Sequence, residues 1–259
     1  MDVGSVLAII TGASLGSFAN MWSWRHDPEG KHNIKAARSV CDYCGRMLSW
    51  WENIPVLSYL WLKGYSRCCG KRLPFGYVVV EVLGGVYGWL GYRVWLSYGM
   101  DRGLETGLSG GLLILGLIVV SLLVVAYDLS YLMIPVVPVV IWVVLGMVWN
   151  VMISIGWQEV VLGMLASGGF LLGVYGVTKG RGMGLGDVFL VLGFSWFLGF
   201  KGTVAAMWLA FVLGSLTGIG LVFTGRVEKG MKGMIALGPF LVTAFWVTWA
   251  FQWWQGLIQ

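Results

Sequence analysis

Two aspartates stand beside apolar stretches, where a solvated charge is not expected. Asp128 lies in "VVAYDLSYLMIP", and Asp187 follows two glycines in "GMGLGDVFL". An acid at the centre of a membrane helix costs about 2.5–3.5 kcal/mol on insertion scales, so such residues usually face a cavity or a partner. Two neighbouring carboxyl groups can share a proton, so that one activates water while the other protonates a leaving amine. This is aspartic-protease chemistry; the open alternative is that each acid caps a helix or ends a span.

Three further residues are candidates for positioning the substrate or the backbone, and not for taking part in the reaction. Gly184 and Gly186 permit positive φ and the close approach of another backbone, so an extended substrate strand can hydrogen-bond beside Asp187. Glu81 lies within the apolar run "VVVEVLGG". We expect Glu81 to pair with a basic residue of a loop or to line a cavity. Glu159, near the end of its apolar run, is expected to be structural.

The composition indicates a protein built for lipid. Hydrophobic residues make up 58% of the 259 positions and charged residues 11%, against about 25% charged residues in soluble domains. Sixteen Trp and forty Gly fit this class, because Trp collects at membrane interfaces and Gly lets helices pack closely. The formal charge of +5 comes from basic residues in loops between apolar runs, a pattern of membrane topology and not of nucleic-acid binding. No Lys or Arg precedes the first apolar run, so we expect a retained span and not a cleaved signal peptide.

The apolar runs predict an all-α polytopic membrane protein with about eight transmembrane helices. Runs of roughly the 20 residues that a span needs are 3–22, 76–98, 109–127, 134–153, 158–178, 187–200, 203–223 and 235–255. The sixth run is short, and Lys201 and Gly202 alone separate it from the seventh. It is either a thin span or a re-entrant segment, which leaves seven or six spans possible. We expect a first helix over 1–24, a small cysteine-containing cytoplasmic domain over 25–75, and a transmembrane peptidase domain over 76–259.

The distribution of basic residues predicts the orientation. With eight spans and the N-terminus outside, most of the seventeen Lys and Arg residues fall in loops on the inner side. Both termini then lie outside, and the cysteine loop faces the cytoplasm. The third and sixth spans place Asp128 and Asp187 at the same cytoplasmic boundary.

The four cysteines lie together in the first long loop, in "CDYC" and "SRCCG". They are Cys41, Cys44, Cys68 and Cys69. The cytosol is reducing, so a metal site is favoured over a disulfide. A cysteine in place of Ser66 would complete a regular four-cysteine pattern with Cys69. We expect Cys41, Cys44 and Cys69 as ligands of a tetrahedral structural zinc, with Cys68 or His32 as the fourth. The alternative is a loop that has lost or weakened the metal.

Taken in order, six stretches resemble type IV prepilin peptidases, which are GxGD-type membrane aspartic proteases. They are "GSFANMWSWR" (16–25), "RSVCDYCGRMLSWWENIPVLSYLWLKG" (38–64), "LPFGYVVVEVLGG" (73–85), "YDLSYLMIP", "GMGLGDVFL" and "ALGPFLVTA" (236–244). The resemblance covers nearly the whole chain. It implies that Asp128 and Asp187 are the catalytic aspartates, and it makes Glu81 a family position.

The resemblance also implies the substrate and a second activity. Such enzymes cleave the basic leader of type IV prepilins or type II secretion pseudopilins at the cytoplasmic face. Bifunctional members then methylate the new N-terminus from S-adenosylmethionine. The chain departs from the family pattern at four positions, which are Ser66 for Cys, Val78 for Pro, Val136 for Asp and Phe189 for Lys. No Gly-rich nucleotide-binding motif locates a donor site.

Two other functions fit part of the sequence. A peptidase without methyltransferase activity, as among preflagellin enzymes, would share the aspartates, but the long cysteine loop argues against it. Buried acids and glycine-broken spans also occur in proton-coupled transporters, where inverted repeats are expected and none is detected here. The sequence makes no prediction of the oligomeric state.

The predicted orientation can be tested by thiol labelling. An impermeant thiol reagent added to intact cells should leave all four cysteines unmodified, even after metal removal, because the loop lies inside. Permeabilised cells should be labelled. Labelling of unopened cells, detected by mass spectrometry, would contradict the orientation and place both aspartates on the outer face.

Overall fold

The structure is a computed structural model that describes residues 1–28, 38–99, 104–180, 183–223 and 236–256. Within these ranges the chain is helical and contains no strand longer than an isolated bridge. The long helices are α1 (Val3–Arg25), α3 (Phe75–Gly99), α4 (Leu104–Tyr131), α5 (Val136–Ile153), α8 (Leu185–Phe223) and α9 (Gly238–Trp254). Three consecutive segments cover the fifth predicted span: α6 (Trp157–Gly163), a π-helical turn (Met164–Gly168) and α7 (Gly169–Thr178). The short helix α2 (Leu57–Trp61) and a 3₁₀ turn (Trp50–Asn53) lie in the cysteine loop.

These helices confirm the prediction of an all-α polytopic membrane protein. Five stretches are long and apolar enough to cross a membrane, namely Val3–Arg25, Gly107–Tyr131, Val136–Ile153, Trp157–Thr178 and Leu185–Leu221. Helix α9 has 17 residues, and α3 carries Glu81 and Arg93, yet both pack within the same bundle. With α8 counted as two rods, the described residues form eight long helical segments, which matches the expected number of spans.

Helix α8 is interrupted at Gly199. The residue has φ 63° and ψ −166°, a conformation that is open essentially to glycine alone. The sequence suggested Lys201 and Gly202 as the boundary between two spans, and this placement is wrong by two residues. Both of those residues are helical, because glycine breaks a helix only where the backbone uses its conformational freedom.

The interruption turns α8 into a hairpin of two rods, 185–198 and 200–223. Gln252, near the end of α9, donates a hydrogen bond to the carbonyl of Leu198 at the turn. Gly214 lies beside Phe240 at the start of α9, so the second rod runs antiparallel to α9. The ring of Phe194 packs against the middle of α9, and the first rod therefore runs parallel to it. The short sixth predicted span is thus a helical rod of its own, 185–198, that runs parallel to α9.

Glu159 stabilises this turn. One of its carboxylate oxygens accepts a hydrogen bond from the backbone N–H of Phe200, at 3.3 Å, directly after the break. The start of a helix has unpaired N–H groups and a positive dipole end, so an acid is favourable there. This contact gives Glu159 a structural role in the fold.

Glycines allow α1 and α3 to touch along their backbones. A Cβ on Gly12 would lie 2.0 Å from the carbonyl oxygen of Gly84, and one on Gly16 would lie 2.7 Å from that of Val80. Small residues that permit such approach are characteristic of membrane helix pairs. Because the cysteine loop connects α1 to α3, this contact fixes both ends of the loop at one end of the bundle.

The end of α4 meets the same end of the bundle. Ser130 Oγ lies 3.4 Å from Ser23 Oγ, and the hydroxyl of Tyr131 donates to the carbonyl of Ser23. The sequence placed the end of the third span before Asp128, but α4 continues to Tyr131. Asp128 therefore lies inside the last turn of a helix, on the side of the bundle that carries the cysteine loop.

Replacing Gly199 by alanine should destabilise the protein by about 1–3 kcal/mol, because a side chain is strained at this φ and ψ. Gly173→Ala is the matched control, since a Cβ at that helical position meets nothing within 4 Å. Thermal unfolding of both variants in detergent measures the difference. Equal midpoints for Gly199→Ala and Gly173→Ala would show that residue 199 does not adopt this conformation.

Candidate active site

Asp128 is held at the junction of α4 and α9. Its side chain is 5% exposed, and its Oδ2 accepts a hydrogen bond from the backbone N–H of Gly238 at 2.8 Å. Gly238 is the first residue of α9, and a Cβ there would lie only 2.7 Å from the same oxygen. A side chain at this position would therefore displace the carboxyl group of Asp128 from its present place.

Asp187 occupies an equivalent setting in the first turn of α8. Its side chain is 8% exposed, and its Oδ2 accepts a hydrogen bond from the N–H of Gly184 at 3.1 Å. The positive end of the helix dipole favours an acid in this turn. Gly186 lets the α4–α5 connection approach, because a Cβ there would lie 2.7 Å from Cβ of Ile134.

The two carboxyl groups are near enough to interact electrostatically. Both lie at the end of the bundle from which the cysteine loop emerges. Two like charges this close do not both ionise easily, so the pair tends to hold one proton between them. A pair with one carboxylate and one carboxylic acid can remove a proton from water and deliver a proton to a leaving group.

Glu81 lies in a different setting, against the cysteine loop. It is 8% exposed and accepts a hydrogen bond from the N–H of Val56 at 2.7 Å, with a further contact from the Ser17 hydroxyl. The sequence left a basic partner or a cavity open for Glu81. The structure gives it a backbone amide as partner and places it on a cavity wall.

The partner of Glu81 belongs to a strained turn. Val56 has φ 62° and ψ −48°, and the N–H of Leu57 donates to the carbonyl of Pro55 at 2.6 Å. This is a γ-turn of the rare, strained kind, and valine is disfavoured in it because its side chain is β-branched. Strain of this kind costs about 1–3 kcal/mol and concentrates at functional sites. Glu81 compensates part of this cost by fixing the central amide.

Gly238 is the site residue whose role the sequence did not predict. "ALGPFLVTA" was noted as a resemblance, with no contact to Asp128 assigned. A Gly-Pro pair at the start of an apolar run signals a helix N-terminus with an exposed amide. The contact itself spans 110 positions of sequence, and no local pattern predicts its partner.

The four cysteines lie on two turns of matching form. In the first, the N–H of Cys41 donates to the carbonyl of Arg46 at 2.8 Å. In the second, the N–H of Ser66 donates to the carbonyl of Lys71 at 2.7 Å. Ser66 therefore occupies the position that Cys41 has in the first turn, and Cys69 corresponds to Cys44.

The four sulfur atoms converge within 4.8 Å of one another. Cys41 Sγ lies 3.8 Å from Cys69 Sγ, and Cys44 Sγ lies 3.2 Å from Cys68 Sγ. Thiolates at about 2.3 Å from a tetrahedral zinc lie about 3.8 Å apart, so the donor set fits zinc. Cys68 lies with the other three sulfur atoms, while His32, the other candidate for the fourth ligand, lies outside the described residues.

Ser66 stands among the sulfur atoms and lies within hydrogen-bond distance of two of them. Its Oγ lies 3.3 Å from Cys41 Sγ and 3.1 Å from Cys68 Sγ. Burial raises the pKa of Cys41, but hydrogen bonds from Ser66 and from two backbone amides bring it down to about 6. The Ser66 hydrogen bond lowers the pKa of Cys68, and the neighbouring thiols raise it to about 11. The lowered pKa of Cys41 favours the thiolate form, which is the form that binds a metal ion.

Comparisons with known proteins find relatives that share one name. The family model described as the Bacterial Peptidase A24 N-terminal domain matches residues 10–95. A prepilin leader peptidase/N-methyltransferase of Neisseria gonorrhoeae is 29% identical over 93% of this chain and 88% of the relative. Proteins of that name from Bacillus subtilis and Aeromonas hydrophila are 30% and 29% identical, over 76% and 85% of this chain and 75% and 73% of the relatives. No solved structure matches the chain.

Restoring the regular cysteine pattern should strengthen metal retention. We expect the purified protein to contain zinc that chelator removes readily, and Ser66→Cys to retain more zinc after the same dialysis, because four regularly spaced thiolates hold it more rigidly. Ser39→Cys, which adds a thiol to the same loop outside the two turns, should behave like the unsubstituted protein. Elemental analysis gives zinc per chain. Absence of zinc from fresh preparations of all three proteins would contradict the assignment.

Proposed function

We propose, since this chain belongs to the prepilin leader peptidase/N-methyltransferase family, that it cleaves the leader of prepilins or pseudopilins and methylates the new N-terminus. The observation that carries the peptidase assignment is the pair of buried carboxyl groups, Asp128 and Asp187, which three helices bring to one end of the bundle. Both are the aspartates of the family motifs in this sequence.

The geometry supports a division of labour between the two carboxyl groups. Each uses Oδ2 to accept a glycine N–H, which leaves its other oxygen to act on water or on the substrate. The ionised member takes a proton from water as the water attacks the scissile carbonyl. The protonated member delivers its proton to the amine that leaves, and the peptide bond breaks. The pair then returns to its starting state by exchanging protons with solvent.

The substrate enters beside Asp187 in this proposal. Gly184 and Gly186 leave the backbone ahead of α8 accessible to an extended chain, which can add hydrogen bonds without side-chain clashes. The basic leader would remain on the cytoplasmic side, where the cysteine domain over 25–75 lies. In this orientation both termini lie outside the inner membrane. The peptidase domain is then formed by residues 76–259.

The four cysteines and the methyl donor have separate roles in this proposal. Cys41, Cys44, Cys68 and Cys69 would hold zinc as a structural ion that joins the two turns of the loop. S-adenosylmethionine is the donor that the name of the relatives implies. That name also favours both activities over a peptidase alone, and it gives no support to the transporter alternative.

Removing either carboxyl group should abolish the peptidase. Asp128→Asn and Asp187→Asn should each lower the rate of prepilin cleavage by at least about 100-fold, because an amide neither accepts nor delivers the proton. Both variants should insert normally. Asp2→Asn, an exposed acid at the start of α1, is the control and should cleave at the unsubstituted rate.

The assay is gel separation of a full-length prepilin from its shortened product in detergent. Appreciable turnover by either variant would remove that aspartate from the reaction and with it the catalytic pair.

A further inference from the structure

Helix α2 of the cysteine loop turns its apolar side chains outward. Leu57, Leu60 and Trp61 stand three and four residues apart, are 61%, 63% and 82% exposed, and together form the outer face of α2. Ser58 and Tyr59, which point the other way, line a cavity between the loop and the helices α1 and α3. A helix on a water-soluble domain has the reverse pattern, with its apolar face inward. The outer face is therefore suited to an apolar environment and not to water.

The contacts of α2 place it beside the membrane helices, inside the level at which α3 begins. The N–H of Val56, the residue before α2, donates to Glu81 at 2.7 Å. Glu81 lies six residues after Phe75, the first residue of α3, and a Cβ on Gly16 of α1 would lie 2.8 Å from its Cα. Gly16 is within the apolar span Val3–Arg25, nine residues before α1 ends. Six helical residues extend about 9 Å and a helical side chain reaches back by about one turn, so the amide of Val56 lies about 4 Å inside the end of α3.

Further contacts fix the orientation of α2 against α3. The ring of Tyr59 packs edge-on against that of Phe75, with the ring centroids 6.4 Å apart. After α2, the carbonyl of Gly64 accepts a hydrogen bond from the N–H of Leu73 at 2.8 Å, just before α3 begins. Phe75 is itself 67% exposed, so the apolar surface continues from the outer face of α2 onto the membrane helix. Side chains at this depth meet lipid wherever no protein covers them.

The charges around α2 favour an anionic surface. Residues 53–80 include no Asp or Glu, and they include Lys63, Arg67, Lys71 and Arg72. Lys63 comes two residues after α2 ends and is exposed. Basic residues beside a membrane attract anionic headgroups, and Trp is enriched at that level. A basic leader peptide, or the same loop of a second copy, would meet like charges here, and an anionic lipid would not.

We propose that the outer face of α2 anchors the cysteine loop in the bilayer surface, with anionic phospholipids as its partner. The two leucines insert beside the acyl chains next to α3, and the indole of Trp61 lies at the level of the headgroups. Lys63 extends along this surface so that its ammonium reaches the headgroup phosphates. The loop is then seated on the membrane over α1 and α3, and it is not a domain suspended in the cytoplasm. This contact is independent of leader cleavage and of methyl transfer.

Photolabelling from the lipid tests the anchor without any substitution. The full chain is placed in lipid nanodiscs that contain phosphatidylglycerol and a phospholipid with a diazirine in its acyl chain, close to the glycerol. After irradiation, peptide mass spectrometry should find lipid adducts on the outer face of α2 and none on Ser58 or Tyr59. Ile10, a 57% exposed residue of the apolar α1, is the positive control and should be labelled in the same sample.

A polar outer face should lose the contact. The combined variant Leu57→Gln, Leu60→Gln and Trp61→Gln should lower the yield of adducts within residues 57–61 by at least about threefold, because amide side chains are costly to bury in hydrocarbon. Met47→Gln is the matched control, since Met47 is an exposed apolar residue of the same loop outside α2, and it should leave that yield unchanged. Unchanged adducts on α1 show that each variant is inserted and folded.

Three results would overturn the anchor. They are adducts on α1 with none on the outer face, equal labelling of both sides of α2, and an unchanged yield within 57–61 in the combined variant. A protein occupant would also contradict it. Such an occupant would appear as suppression of the adducts by added prepilin, or as chemical cross-links that join the outer faces of two copies in one nanodisc.

Discussion

The structure depends on how two acids are kept below the surface of a membrane protein. A buried carboxyl group without hydrogen bonds is costly, and two beside each other add repulsion. Here each receives a backbone N–H from a glycine, Gly238 for Asp128 and Gly184 for Asp187. A backbone donor adds no charge that would quench the acid, and it cannot rotate away as a side chain can. At Gly238 this contact favours glycine, because a Cβ there would lie 2.7 Å from the carboxyl oxygen, whereas a Cβ on Gly184 would lie 3.6 Å from Oδ2 of Asp187.

That requirement sets the arrangement of the helices. The end of α4 and the starts of α8 and α9 must meet at one end of the bundle, although they are distant in sequence. The break at Gly199 lets both rods of α8 pack against α9, and buried rings of α5, α8 and α9 fill the far half of the bundle. The glycine contact between α1 and α3 brings the cysteine loop to the same end. The apolar rings thus fill the far half of the bundle, and the two buried aspartates lie at the opposite end.

Composition and local pattern predicted much of this, and the reasons are physical. Long apolar runs predict spans because the bilayer demands them, and acids out of place mark Asp128 and Asp187 because burial of charge is costly. Non-local and backbone-specific features were not predictable. Nothing near Gly238 indicates Asp128, and nothing near Val56 indicates Glu81. The break at Gly199 was misplaced because several glycines lie close together, and only one uses its conformational freedom. For the cysteines, the adjacent pair Cys68 and Cys69 interrupts the regular spacing. The structure brings the four sulfur atoms within 4.8 Å of one another from two distant turns, and the fourth ligand stays a prediction.

We propose that the backbone N–H of Gly238, at the start of α9, positions Asp128 for catalysis. The most direct test of this is kcat/KM for prepilin cleavage by Gly238→Ala, compared with Gly214→Ala. A Cβ on Gly214 makes only ordinary contacts with Leu237 and Phe240 of the same chain region, whereas one on Gly238 lies 2.7 Å from the carboxyl oxygen. We predict a loss of about 100-fold for Gly238→Ala, the usual effect of displacing a catalytic group by an ångström, and little change for Gly214→Ala. Full activity in Gly238→Ala would show that this N–H does not position Asp128 for the reaction.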